Sequence, residues 1–222
     1  MTSAREQILG TLRSQPGLKV PPLPDVMTSA SSSTASEGER RATFTAILAK
    51  LGAPVDVVSD MSAAATRITE VLAMHDATSL ALSDADDVLA IAEALPTSIE
   101  RIPHDGPRES LLRSHAGLST AQWAVAETGT LALVSRHERH RLATLLPDLH
   151  IALVPASRLL ATLGDAFLRL GPQCSSAAPV GAPDAATITF VTGPSRTADI
   201  ELELVVGVHG PKALHVVIVA DA

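Results

Sequence analysis

Residues 39–96 read ERRATFTAILAKLGAPVDVVSDMSAAATRITEVLAMHDATSLALSDADDVLAIAEALP, and this stretch decides the fold. Arg40 to Leu51 places Phe44, Ile47, Leu48 and Leu51 on one helical stripe that Gly52 ends, glycine being suited to the left-handed turn after a helix. Val55 to Val58 is a short strand, and Ser62 to Met74 is a second helix with Ile68, Val71 and Leu72 on its apolar side. Ser79 to Leu82 suits a buried strand, and the helix expected over Asp84 to Leu95 stops at Pro96, because proline cannot continue a helical hydrogen-bond ladder. Alternating strands and helices predict βαβ units. The expected fold class is α/β, a mainly parallel sheet flanked by helices.

Upstream, Ser3 to Ser14 predicts a short helix with Ile8, Leu9 and Leu12 on one side, capped by Ser3 and Glu6. So short a helix is marginal alone, so it is expected to pack on its own domain or, failing that, on a partner subunit. Prolines 16, 21, 22 and 24 and the run Ser31-Ser32-Ser33-Thr34 predict a linker. The expected organisation is a helix over 1–15, a linker over 16–37 and one α/β domain over 38–222.

Downstream, Gln122 to Ala126 and Leu131 to Val134 flank Glu127-Thr128-Gly129-Thr130 as a hairpin or tight bend. Ile151 to Val154 is a further strand, and Ser157 to Leu170 is expected to be helical. After a Pro/Gly-rich stretch over 171–184 comes strand Thr187 to Val191, then the turn Thr192-Gly193-Pro194-Ser195. A helical segment is expected next, although Leu202, Leu204 and Val206 also fit strand alternation. Leu214 to Val219 closes the domain as a strand.

Composition narrows the function. Seventeen Lys plus Arg against 24 Asp plus Glu give a net charge of -7, whereas nucleic-acid surfaces are basic. Aromatic residues are only 2% of the chain, too few for a base-stacking platform. One cysteine, Cys174, excludes an internal disulfide and a four-thiolate iron–sulfur site. No apolar run approaches the roughly 18 residues of a membrane span. Arg5 and Glu6 sit where a signal peptide needs apolar residues, so a cytoplasmic protein is expected.

Three motifs carry chemistry. In Gly193-Pro194-Ser195-Arg196-Thr197-Ala198-Asp199-Ile200-Glu201 a glycine turn follows a strand. Free N–H groups, the Ser195 and Thr197 hydroxyls and the Arg196 guanidinium there suit a carboxylate or phosphate. Equally, Ser195 or Thr197 caps a helix and Arg196 pairs with Asp199 or Glu201. Glu127, beside Gly129 at a strand end, is a candidate nucleophile or base, or else a solvated turn glutamate. His209, within Gly207-Val208-His209-Gly210-Pro211, is a candidate acid or base, or plain surface. His137-Glu138-Arg139-His140 lacks a third ligand at suitable spacing and is expected to be a solvated basic segment; no metal site is expected.

The stretches AVAETGTLAL (124–133), LLPDLHIALV (145–154) and TFVTGPSRTADIELELVVGVHGPKALHVVIV (189–219), with the N-terminal REQIL (5–9), resemble the lactate-utilisation protein C family, also called the LUD-domain family. The resemblance implies the fold type of glucosamine-phosphate deaminase, ribose-phosphate isomerase and CoA transferases. It also implies a part in oxidising L-lactate to pyruvate, in the company of cysteine-rich and iron–sulfur proteins that carry the clusters, with no cofactor on this chain. Its motif positions here are Glu127, Thr128, Gly129, Thr130, Gly193, Ser195, Arg196, Thr197, Asp199, Glu201, His209 and Gly210. The leading expectation is small-carboxylate binding at the Gly193–Thr197 turn, with His209 or Glu127 taking the hydroxyl proton. The alternatives are a free-standing CoA-transferase-like or isomerase-like enzyme using Glu127, and a non-catalytic assembly subunit. Self-association is left open.

Overall fold

The structure, a computed structural model, describes residues 4–14, 35–135, 137–174, 187–197 and 205–220. The chain enters through helix α1 (Ala4–Ser14) and helix α2 (Glu37–Lys50). Residues 15–34, most of the expected linker, and Ser3, the expected cap, lie outside the described residues. The α1 side chains Ile8 and Leu9 are exposed. Helix α2 starts with a reciprocal cap. Ser36 Oγ accepts from the Glu39 N–H while the Glu39 carboxylate accepts from the Ser36 N–H.

Strand and helix then alternate as predicted: β1 (Val55–Val58), α3 (Met61–Met74), β2 (Ser79–Leu82) and α4 (Asp86–Ala94). Next come β3 (Glu100–Ile102), α5 (Arg108–Arg113) and β4 (Ala116–Thr120), which the sequence pattern did not announce. The bend of the predicted hairpin joins β5 (Trp123–Val125) to β6 (Thr130–Val134). A short helix α6 (Arg141–Leu145) precedes β7 (Leu149–Pro155).

The helix expected over Ser157 to Leu170 is corrected. Ala156–Arg158 form a 3-10 turn, β8 (Leu159–Leu160) pairs with β5, and helix α7 (Leu163–Cys174) starts only afterwards. Its start is set locally by Thr162 and Asp165, whose side chains exchange hydrogen bonds with each other's N–H groups. Strand β9 (Ile188–Val191) follows. The helix expected after Gly193 is also corrected at its described ends. Arg196–Thr197 form β10, which pairs antiparallel with β11 (Val205–Val206), as the β-branched valines favour. The domain ends in β12 (Ala213–Val219).

Six strands make one parallel sheet in the order β1-β12-β7-β4-β2-β3. Strands β2, β4 and β7 are buried at every position, as a sheet covered on both faces requires. Helices α3 and α4 cover one face through Ile68, Leu72, Val88 and Ile91 against Leu118, Ile151 and Val217. On the other face Phe44 and Leu48 of α2 pack against Ala152, Val154 and Val216, and against Leu131 and Leu133 of a second sheet. That second sheet runs β8-β5-β6-β9. Helix α2 is thus a wedge between two sheets. Beside it, α6 lies so close to β4 that a Cβ on Gly117 would fall 1.6 Å from the Ala143 carbonyl oxygen. Only glycine fits there.

Candidate functional site

The turn after β9 and the loop before β12 are fastened to each other. The Ser195 N–H donates to the Pro211 carbonyl at 2.9 Å, and the Gly207 N–H to the Ser195 carbonyl at 2.9 Å. Gly193 turns the chain at φ +101, a conformation that side chains resist, with Leu51, the C-cap of α2, beneath it. Together Gly193, Pro194, Ser195, His209 and Gly210 line a cavity of about 280 Å³ whose wall includes His150 of β7. The two most specific motifs of the chain therefore share one cavity.

The bend between β5 and β6 sits next to it. Gly129, at φ +66, is pressed against Ile47 and Leu48 of α2. Thr128 Oγ1 donates to Thr130 Oγ1 at 2.7 Å, which lies 2.8 Å from Thr192 Oγ1 beside the Gly193 turn. Glu127 itself is exposed and turned elsewhere. Its carboxylate accepts the N–H of Leu163 at the start of α7, where a negative charge favours a helix. Arg196 is exposed and donates through Nη2 to the carbonyl of Leu51, the residue that ends α2. Thr197 is taken up in the β10–β11 pairing. Asp199 and Glu201 lie outside the described residues. Hence Gly193, Ser195, His209 and Gly210 line the cavity, Thr128, Gly129 and Thr130 stand next to it, and Glu127 and Arg196 are engaged with helix ends.

His150, in the cavity wall, has buried polar neighbours that the motifs did not disclose. His150 is 1% exposed, and its Nε2 lies 2.8 Å from the hydroxyl of fully buried Ser119. Desolvation, helped by the nearby His140, pushes its pKa down to about 3, so the ring is neutral near pH 7. The segment expected to be solvated is corrected here, because Glu138 is 2% exposed and His140 fully buried. Glu138 accepts the Thr120 N–H at 2.8 Å and the Gln122 side-chain amide at 2.9 Å. Burial raises its pKa, opposed by those bonds and by the Ser83 hydroxyl close by, which makes no well-formed hydrogen bond. His140 Nδ1 lies 3.0 Å from the Glu138 carbonyl while its Nε2 has no partner among the described residues. A signal for this group does exist in the chain. His150 interrupts an apolar strand buried on both faces, and Ser119 and Thr120 end another.

Among the described residues no group of three or more His, Cys, Asp or Glu side chains gathers to hold a metal ion. No helix among them is long and apolar enough to cross a membrane.

A parallel α/β sheet joined to a smaller mixed sheet, with a glycine-turned cavity between strand ends, defines the class. The chain belongs to the LUD domain family, which it matches over residues 41–219. It is 38% identical over 109 residues to the "Lactate utilization protein C" of Geobacillus thermodenitrificans, a match covering 49% of this chain and 44% of that protein. The protein of the same name from Bacillus subtilis is 34% identical over 109 residues, with the same coverage of 49% and 44%. The match thus spans less than half the length of these curated relatives. A crystal structure of a DUF162 family protein from Deinococcus radiodurans superposes with a TM-score of 0.62 at 21% identity, over 83% of this chain and 99% of that one. That likeness supports the fold.

Proposed function

We propose that this chain serves in lactate utilisation by binding a small 2-hydroxy carboxylate in the cavity between the Gly193 turn and the His209 loop. The observation that carries this reading is the shared lining by Gly193, Ser195, His209 and Gly210, in a space of about 280 Å³ suited to a molecule of lactate's size. The Ser195 hydroxyl and the turn's backbone would hold the carboxylate. His209, among the cavity's lining residues, is the better placed of the two expected proton acceptors, since Glu127 already serves Leu163. Arg196 would act indirectly, by tying the turn to the end of α2. Oxidation of a 2-hydroxy acid to its keto acid breaks the O–H and C2–H bonds and releases two electrons and two protons, one proton to His209 and the other to water, and one cysteine cannot hold a four-thiolate cluster. Iron–sulfur partner proteins would therefore carry the electrons away.

The names of the relatives and the family match support the pathway, and lactate titration tests the site. Lactate at a hundred times its Kd should stabilise the chain by about 2.7 kcal/mol in thermal unfolding. Ser195→Ala and His209→Ala should each lower that gain while unfolding normally without ligand. A wild-type chain whose unfolding ignores lactate would remove the reading.

A further inference from the structure

The central sheet has a place where its connections part. From β2 the chain moves outward to β3, at one edge, and then returns to β4, from which the later strands β7 and β12 extend the other way. In open parallel α/β sheets ligands bind in the crevice at such a point, outside the carboxyl ends of the strands. Here that crevice is a cleft of about 400 Å³. Ala85 and Asp87 line it beyond β2, Thr120 and Trp123 at and after the end of β4, and His137 and Arg158 from farther along the chain. None of these residues belongs to the cavity of the Gly193 turn.

Two donors in the cleft lack the partners their surroundings call for. Arg158 is half-buried, makes no ion pair among the described residues, and has one hydrogen bond, at 3.4 Å, to the Ala121 carbonyl. A guanidinium carries five N–H donors, so most of its capacity is unused. Thr120 is 1% exposed; its N–H serves Glu138, but its Oγ1 has no partner among the described residues. Buried hydroxyls are almost always hydrogen-bonded, and an exception asks for an unseen partner. The nine-residue helix α4 adds to this, since its N-cap, Ala85, makes no side-chain cap bond and Ala85 and the first helical residues line the cleft. Opposing charge is also present. Asp86 and Asp87 line the same cleft, which disfavours any ligand with several adjacent negative groups.

We infer that this cleft is a second ligand site, which takes a small molecule by a single oxyanion group, carboxylate or phosphate, on Arg158 and Thr120. The guanidinium supplies the charge and the fork, and the hydroxyl supplies a short-range donor. Lactate binding at the Gly193 cavity is not required for this.

Trp123 is the only tryptophan of the chain and lines the cleft, so its emission reports occupancy directly. The full-length chain is titrated with inorganic phosphate, with acetate and with pyrophosphate. A saturable change with phosphate or acetate is expected, and which of the two binds tells a phosphate ester from a carboxylic acid. Arg158→Gln should raise the apparent Kd at least about tenfold, and Arg158→Lys, which keeps the charge without the fork, should fall between. Thr120→Val tests the hydroxyl and should weaken binding several-fold; should it fold poorly, the two Arg158 variants still decide. Arg113→Gln, at the opposite end of the sheet, should bind as wild type. The inference is overturned if neither phosphate nor acetate gives a saturable change, if Arg158→Gln binds as wild type, or if pyrophosphate binds more tightly than phosphate.

Discussion

The segments Gly193–Thr197 and His137–Arg141 make an instructive pair. Each mixes charge with small or polar residues, and each looks from its letters like surface. The first is surface in large part, with Arg196 exposed and the turn bordering an open cavity. The second carries Glu138 and His140 into the interior, Glu138 at the end of β4 and His140 at the start of α6. The difference lies in what each segment must satisfy. The turn hydrogen-bonds to its neighbouring loop and to the end of α2, whereas Glu138 supplies the acceptor that the last N–H of β4 and the Gln122 amide need. Charge written in a sequence therefore predicts burial poorly when strand ends nearby lack partners.

The largest test of this contrast is Glu138→Ala. It would leave the Thr120 N–H and the Gln122 amide without an acceptor, and chemical denaturation should show a loss of about 2–4 kcal/mol. Glu138→Gln, which keeps one acceptor, should lose less. A loss under about 0.5 kcal/mol for the alanine variant would place the segment with ordinary surface positions after all.

Acid sharpens the same contrast. His150 has a folded pKa of about 3 against an ordinary 6.5, so the unfolded chain binds the proton first. Its contribution is fully present above pH 6.5 and is lost as pH falls toward 3, at up to about 1.4 kcal/mol per pH unit. His140 and His215, both pushed down by burial, act in the same direction. Glu138, pushed up, acts in the opposite one. The clean measurement is thus a difference: between pH 6 and 4, His150→Gln should unfold with a shallower pH dependence than wild type. Parallel curves would show that the ring is not buried in its neutral form.

The smallest effect belongs to the exposed segment. Arg196→Ala removes one hydrogen bond to the Leu51 carbonyl at a solvent-facing helix end, and should cost about 1 kcal/mol or less. A larger loss would mean that the turn is built into the core, and the contrast would break from its other side.

Legibility followed local pattern. The α2–β1–α3–β2–α4 succession was readable because apolar spacing, Gly52 and Pro96 act within a few residues. The β5–β6 bend was readable from Gly129 between two apolar runs. Strand β3 and helix α5 are short and have weak periodicity, and β8 exists because β5 offers it an edge, which no local rule announces. Of the candidate site, the coupling of the Gly193 turn to the His209 loop was visible only as two motifs in order. Their contact is the Ser195–Pro211 hydrogen bond and the β10–β11 pairing, which neither motif announces by itself. Glu127 and Arg196 stand out in the sequence by their charge, and both charges go to the ends of helices.

Helix α2 stands as a wedge between the two sheets. Its final turn touches Gly129 through Ile47 and Leu48, touches Gly193 through Leu51, and receives Arg196 on its last carbonyl. Two separate parts of the chain, the β5–β6 bend and the Gly193–Thr197 turn, thus take their bearings from a single helical end. A one-residue insertion between Ser36 and Ile47 would swing that end about 100° around its axis and deprive both of their footing at once, so the length of this helix, more than that of any loop, is the gauge to which the cavity is cut.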